Sequence, residues 1–311
     1  MGAWIMFWVL GLIWGSSFML IRIGVENVHP LQVMFIRLGI AAVGLWTVVL
    51  LSRRPLPKNW RTWRTAIIIG IGNNAIPFTL IAFGETQIPS SLASILQSTT
   101  ALFGLIFAHF VFADERMTPQ KVVGLLVGFL GVIVLASHSL QGGDVFTAGL
   151  LGQLAMIGSS IFYATFTIYS KKAIQEKIDP VVLAATTMLS AAIAEMLLLL
   201  GGVAFLDVPL SVSASLGTNA LFAIVMLGFV NTFIAYLLYY QIIGVLGASR
   251  TTMVTYVVPA VGLLLGVWLL DEPLDLYIIS GAALIFIGIG IVNLRLFSRL
   301  NTMRARPQAG D

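Results

Sequence analysis

The sequence predicts an all-α integral membrane protein: ten transmembrane helices in two inverted five-helix repeats, with N- and C-termini cytoplasmic. Three observations predict it. Of 311 residues, 59% are hydrophobic and 10% charged, and mean hydropathy is +0.99, whereas soluble domains carry about 25% charged residues. The basic residues fall in every second loop. The two halves of the chain match one another at ordered positions.

Ten apolar runs are each near the length that crosses a bilayer, about 20 residues. They cover about 3–24, 30–51, 65–84, 90–113, 120–137, 148–170, 180–206, 216–240, 247–270 and 274–297. Pro30, Pro89, Pro119 and Pro180 stand where new helices begin, a position that sacrifices no hydrogen bond. Asp179 before Pro180 reads as an N-cap, and Gln141-Gly142-Gly143-Asp144 as a loop. No basic residue precedes the first run and no small-residue cleavage site follows it, so it is expected to remain as a helix.

Of the 17 Lys and Arg, all but Arg22 and Arg37 fall in the even loops or the tail. Loop 2–3 carries Arg53, Arg54, Lys58, Arg61 and Arg64; loop 4–5, Arg116 and Lys121; loop 6–7, Lys171, Lys172 and Lys177. Arg250 closes loop 8–9, and Arg295, Arg299, Arg304 and Arg306 follow the last run. This positive-inside pattern predicts a cytoplasmic N-terminus and a multi-pass protein of the cell's inner (plasma) membrane. Anionic lipid then accounts for the net charge of +4 without a nucleic-acid partner.

The same composition narrows the chemistry. Cys is absent, which excludes disulfides, Cys-ligated zinc and Cys nucleophiles. His29, His109 and His138 are far apart, and no Lys follows a Gly as a P-loop requires. An intramembrane enzyme needs convergent acid, base or metal groups at membrane depth, and too few are present. No enzyme activity, cofactor or metal is expected.

Shifting the chain by 157 residues aligns Asp114-Glu115 with Asp271-Glu272, Asn74 with Asn231, and Gly124, Phe129 and Gly131 with Gly281, Phe286 and Gly288. A shift of 143 aligns Gly15-Ser16-Ser17 with Gly158-Ser159-Ser160. Five helices per half is odd, so the second half should enter the membrane inverted, a common plan of secondary transporters. The expected division is 1–137 for the first repeat, 138–147 for an extracytoplasmic linker, 148–297 for the second repeat and 298–311 for a basic cytoplasmic tail.

Trp14-Gly15-Ser16-Ser17-Phe18 resembles the opening of EamA-type permeases of the drug/metabolite transporter superfamily. So do Arg37 with the small apolar run Leu38-Gly39-Ile40-Ala41-Ala42, and the two Asp-Glu loops that each precede a Gly-rich helix. The resemblance spans nearly the whole chain. It implies a central cavity between helices 1–4 and 6–9, helices 5 and 10 outside, and secondary transport of small metabolites, often amino-acid export. The chain departs from the pattern at Leu102, which matches Pro259.

Polar groups at membrane depth need a reason. Arg37 reads as a pathway charge for an anionic group, or as a structural arginine on helix carbonyls. Arg22, one turn before Glu26, reads as a snorkelling ion pair. Glu195 is the only carboxylate deep in a predicted run. Glu195 and His109 could couple protons, although structural roles fit both better. Candidate path residues are Trp14, Ser17, Arg37, Asn73, Asn74, Ser94, Gln97, Ser98, Ser160, Tyr163, Asn231, Tyr236, Tyr239, Thr255 and Tyr256; the competing reading is that the hydroxyls and amides bond helix to helix. Pro77 and Pro259, near mid-run, are hinge candidates. Gly11/Gly15, Gly124/Gly128 and Gly262/Gly266 have close-packing spacing. Runs 5 and 10 carry few polar groups and are left to face lipid or a second copy in a homodimer. Trp60 and Trp63 read as interfacial anchors.

The expected function is outward movement of small polar metabolites, foremost amino acids or related compounds, by alternating access. A drug or nucleotide-sugar carrier of the same fold, or a passive channel, are the alternatives.

Overall fold

The computed structural model describes residues 2–112, 116–140, 148–173, 178–210, 217–247, 251 and 253–293. These form α1 (Gly2–Val25), α2 (Pro30–Leu51), α3 (Trp60–Gln87), α4 (Ser90–Val111), α5 (Pro119–Leu140), α6 (Ala148–Ala173), α7 (Pro180–Phe205), α8 (Thr218–Leu246), α9 (Val254–Leu269) and α10 (Leu276–Asn293). Eight are long and apolar enough to cross a membrane, and α9 and α10 are shorter apolar helices. Most of the 138–147 linker, the 298–311 tail, Arg250 and the Asp114-Glu115 pair lie outside the described residues.

Local chemistry sets the helix ends. His29 caps α2: its Nδ1 accepts the Leu31 N–H at 3.3 Å, and Gln32 Oε1 accepts the His29 N–H at 3.3 Å. Asp179 caps α7 by accepting the Val181 and Val182 N–H groups at 2.8 and 3.3 Å, and its other oxygen takes Arg54 Nη1 at 2.6 Å. That ion pair joins the end of α2 to the start of α7. The opposite end is tied separately, by Arg22 Nη1 on the Glu85 carbonyl at 2.5 Å and Gln32 Nε2 on the Pro209 carbonyl at 2.7 Å.

Three helices are irregular within their length. α3 holds a π-turn at Ile71–Ala75 and α8 holds one at Phe229–Ile234. α4 breaks between Ser90–Gln97 and Thr100–Val111. At that break Ser98, Thr99 and Thr100 each donate a hydroxyl to the carbonyl three residues back, at 2.6–2.8 Å. Those side chains compete with the backbone ladder and bend the helix.

The main packing pairs are α1–α9 and α6–α4, α1–α8 and α6–α3, α3–α7 and α8–α2, with α2–α7, α4–α9 and α5–α10. This scheme maps onto itself when each helix is exchanged for the one five places along. The match is not complete: α1 also packs on α3 and α4, and among the described residues α6 lacks the corresponding close packing on α8 and α9.

α5 and α10 meet glycine to glycine. A Cβ at Gly124 would lie 2.6 Å from the Gly288 carbonyl, and one at Gly131 would lie 2.6 Å from the Gly281 carbonyl. Their glycine faces are filled by each other. Leu126, Leu130, Ile133, Ile279 and Ile287 remain exposed on the pair.

Candidate functional site

Arg37 is 5% exposed, about two helical turns inside α2. Its Nε donates to Thr232 Oγ1 at 3.0 Å, and its guanidinium carbon lies 4.1 Å from the centre of the Phe78 ring. Thr232 Oγ1 in turn donates to the Leu227 carbonyl at 2.8 Å, five residues back. The π-turn of α8 thus turns a threonine toward the cation. A π face adds about 0.5–2 kcal/mol to a cation, most when desolvated. The ends of the guanidinium make no hydrogen bond among the described residues, and no carboxylate approaches within 4.0 Å. Tyr163, Tyr236 and Glu85 lie within electrostatic range. This arrangement leaves planar, paired donors free for an anionic group.

Aromatic rings surround this charge. Tyr163 sits 6.2 Å from Phe78, Trp14 sits 6.3 Å from Tyr236 and 5.3 Å from Tyr239, and Tyr240 touches both tyrosines. Tyr236 donates its hydroxyl to Asn74 Oδ1 at 3.2 Å. Asn231 holds α8 to α1: its Nδ2 donates to the Ile13 carbonyl, to Ser16 Oγ at 3.0 Å and to Ser17 Oγ at 3.1 Å. Asn74 and Asn231, aligned by the 157-residue shift, each occupy a π-turn. The structure therefore brings Trp14, Ser17, Arg37, Asn74, Tyr163, Asn231, Tyr236 and Tyr239 together between α1, α2, α3, α6 and α8.

Other expected path residues lie elsewhere. Asn73 Oδ1 receives Thr167 Oγ1 at 3.4 Å on the α3–α6 contact. Gln97 Nε2 donates to Thr100 at 3.0 Å, while its Oε1 receives Ser159 at 3.3 Å. Ser160 donates to the Leu96 carbonyl at 3.4 Å, and Ser98 bonds within its own helix. Ser94 donates to the Ser91 carbonyl at 2.8 Å and the Pro259 carbonyl at 3.2 Å, at the α4–α9 crossing. Thr255 and Tyr256 are exposed on α9. His109 Nδ1 accepts the Met117 N–H at 3.1 Å, and so caps the chain after α4. Glu195 is fully buried against Thr79, on the α3–α7 contact and away from Arg37. Pro259 is buried in α9. Pro77 follows a π-turn, but α8 forms its own with Ile234 at the matching position, so proline is not what makes the turn.

A second carboxylate joins Glu195 in being fully buried: α3 runs to Gln87, and Glu85 near its end is at 0% exposure. Thr232, Phe78 and Glu85 were not expected at the site. An acidic residue closing an apolar run, four positions before Pro89, was the available signal for Glu85.

A buried cation among rings and amides, inside a helical bundle in which eight helices are long and apolar enough to cross a membrane, fits a multi-pass membrane transporter, and the family match below makes it one. The chain belongs to the EamA-like transporter family, whose pattern matches residues 2–137 and again 150–294. It is 29% identical over 294 residues to an uncharacterized transporter of Archaeoglobus fulgidus, covering 94% of this chain and 99% of that one. It is 27% identical over 282 residues to a probable amino-acid metabolite efflux pump of Escherichia coli, covering 90% of each. An uncharacterized inner membrane transporter of the same bacterium, YedA, is 30% identical over 271 residues, covering 86% of this chain and 82% of that one. A solved crystal structure shares the fold, with a TM-score of 0.64 at 20% identity over 94% of this chain and 97% of that chain.

Proposed function

We propose that this chain is a ten-span secondary carrier that exports amino acids or closely related small metabolites by alternating access. Residues 1–137 and 148–297 form two inverted halves, and both termini are cytoplasmic. The carrying observation is the isolated Arg37 guanidinium, with open donors within a wall of Trp14, Phe78, Tyr163 and Tyr236. A substrate carboxylate would complete that cation, and the rings would cover a small apolar side chain. The resemblance to a probable amino-acid metabolite efflux pump supports the substrate class.

Alternating access draws support from a break in the pairing scheme. α1 closes on α3 and α4 at the end opposite the basic loops, while among the described residues α6 has no matching close packing on α8 and α9. With basic loops inside, this is a form sealed outward. Exchanging the roles of the halves would seal it inward.

The test is efflux of labelled amino acids from proteoliposomes, with and without a pH gradient. Saturable efflux that Arg37→Ala abolishes is expected. Absent efflux, or flux that rises linearly with concentration, would sink the carrier reading.

A further inference from the structure

The outward seal is built around a carboxyl group. At the start of α4, Glu272, from the segment between α9 and α10, accepts the Ser90 and Ser91 N–H groups at 2.7 and 2.8 Å. Ser94 reaches the Pro259 carbonyl one turn deeper. Beside this latch, four buried polar atoms have no hydrogen-bond partner among the described residues: both carboxyl oxygens of Glu85, Ser90 Oγ and Ser91 Oγ. Buried polar atoms are nearly always paired, so four at the junction of α3 and α4 mark a seal that water would relieve.

Among the described residues Glu85 has no counter-ion in contact. The charged groups within its electrostatic range are Arg22 from α1, Arg37 from α2 and Glu272. α4 and α6, which also pack on this part of α3, add none to that set. Arg22 spends Nη1 on the Glu85 carbonyl rather than its carboxylate, and Nε on Glu26 at 2.9 Å. Glu272 already carries a negative charge beside it. An ionised carboxylate, desolvated and without a hydrogen bond, is disfavoured in such a place.

We propose that Glu85 is a proton-binding site that locks the outward seal: the seal closes on the neutral acid and opens as the proton passes to outer water. When α4 parts from Glu272 and α9, the carboxylate becomes hydrated and meets Arg22, a cation already in position. The closed form holds one more proton than the open form, so rising pH favours opening. This rests on the alternating-access reading above.

Because the chain contains no cysteine, an introduced one is a unique reporter. Ser91→Cys is nearly isosteric and sits within the seal; Asn27→Cys, on the exposed outer turn, serves as the control for thiol ionisation. The ratio of their labelling rates by a membrane-impermeant maleimide is measured from pH 6 to pH 8 in purified protein. The expected result is a ratio that rises several-fold, to at most about tenfold per pH unit for one proton. Glu85→Gln should hold it flat at its low-pH value, and Glu85→Asp, which keeps an ionisable group and controls for a damaged fold, should restore the rise. A flat ratio in the parent, or a rise that survives Glu85→Gln, overturns the proposal. Labelling needs no cargo: missing efflux with a normal labelling pattern faults the carrier reading, and a flat ratio with intact efflux faults only Glu85.

Discussion

Tyr236 of α8 donates its hydroxyl to Asn74 of α3 at 3.2 Å, bridging the two halves of the chain beside Arg37. Asn74 lies in one π-turn, and Tyr236 follows the other by two residues. An extra residue in each helix turns these polar side chains inward, which fits the frequent use of π-turns at functional sites.

Tyr236→Phe removes that bond and keeps the ring. Hydrogen bonds between membrane helices average about 0.6 kcal/mol, so the variant should fold with a slightly lower Tm. The expected change in efflux is a raised KM, because Asn74 and the ring lose their fixed orientation. An unchanged KM would show that the bridge only fastens helices.

Arg37→Lys keeps the charge but loses the planar fork and much of its fit over Phe78. If the cation holds a carboxylate through two donors, efflux should fall about tenfold, equivalent to about 1.4 kcal/mol of binding. Competition by unlabelled amino acid measures it. Retained affinity would reduce Arg37 to a point charge or a packing group.

Two glycines on neighbouring helices should respond in opposite directions. A Cβ at Gly15 would press on Val261 and lie 3.0 Å from the Val258 carbonyl, whereas one at Gly39 meets nothing within 4 Å. Gly15→Ala should destabilise by about 1–3 kcal/mol through overpacking. Gly39→Ala should stabilise by about 0.5–1 kcal/mol through helix propensity. Thermal unfolding in one detergent checks both.

The His29 cap predicts a pH effect. Burial pulls the His29 pKa below its ordinary 6.5, and Nδ1 must be unprotonated to accept the Leu31 N–H. The folded state therefore favours the neutral ring. Its contribution is full above about pH 6.5 and is lost as pH falls through the lowered folded value. A lost cap costs about 1 kcal/mol. His29→Asn should keep a cap and remove this part of the acid sensitivity; equal Tm loss on acidification in both proteins would count against it.

Much of this was legible in the sequence, because membrane depth imposes long apolar runs and basic loops. Arg37, Asn74 and Asn231 stood out as polar groups where polarity is costly. The π-turns did not, since a single inserted residue leaves hydropathy unchanged. Pro77 suggested the irregularity in α3, but α8 makes the same turn without proline. The break in α4 was written in Ser98-Thr99-Thr100, yet hydroxyls that bond their own helix look the same as hydroxyls that line a path. Glu85 was hidden by an end predicted at residue 84. Thr255 and Tyr256 shared the polar composition of the site but are exposed on α9, which is not among the helices around Arg37, and composition alone does not reveal that.

The α5–α10 contact has a mechanical consequence. With backbone close to backbone at Gly124–Gly288 and Gly131–Gly281, and Leu135, Ile285 and Val292 packed tightly onto the same glycines, the two rods have little room to shift. Sliding one along the other would drive carbonyls into each other, so the pair behaves as a stiff keel fastened across both halves. Under the alternating access proposed above, rocking would fall to the other eight helices, and a bulky residue wedged into the keel would disturb the whole stroke from outside the pathway.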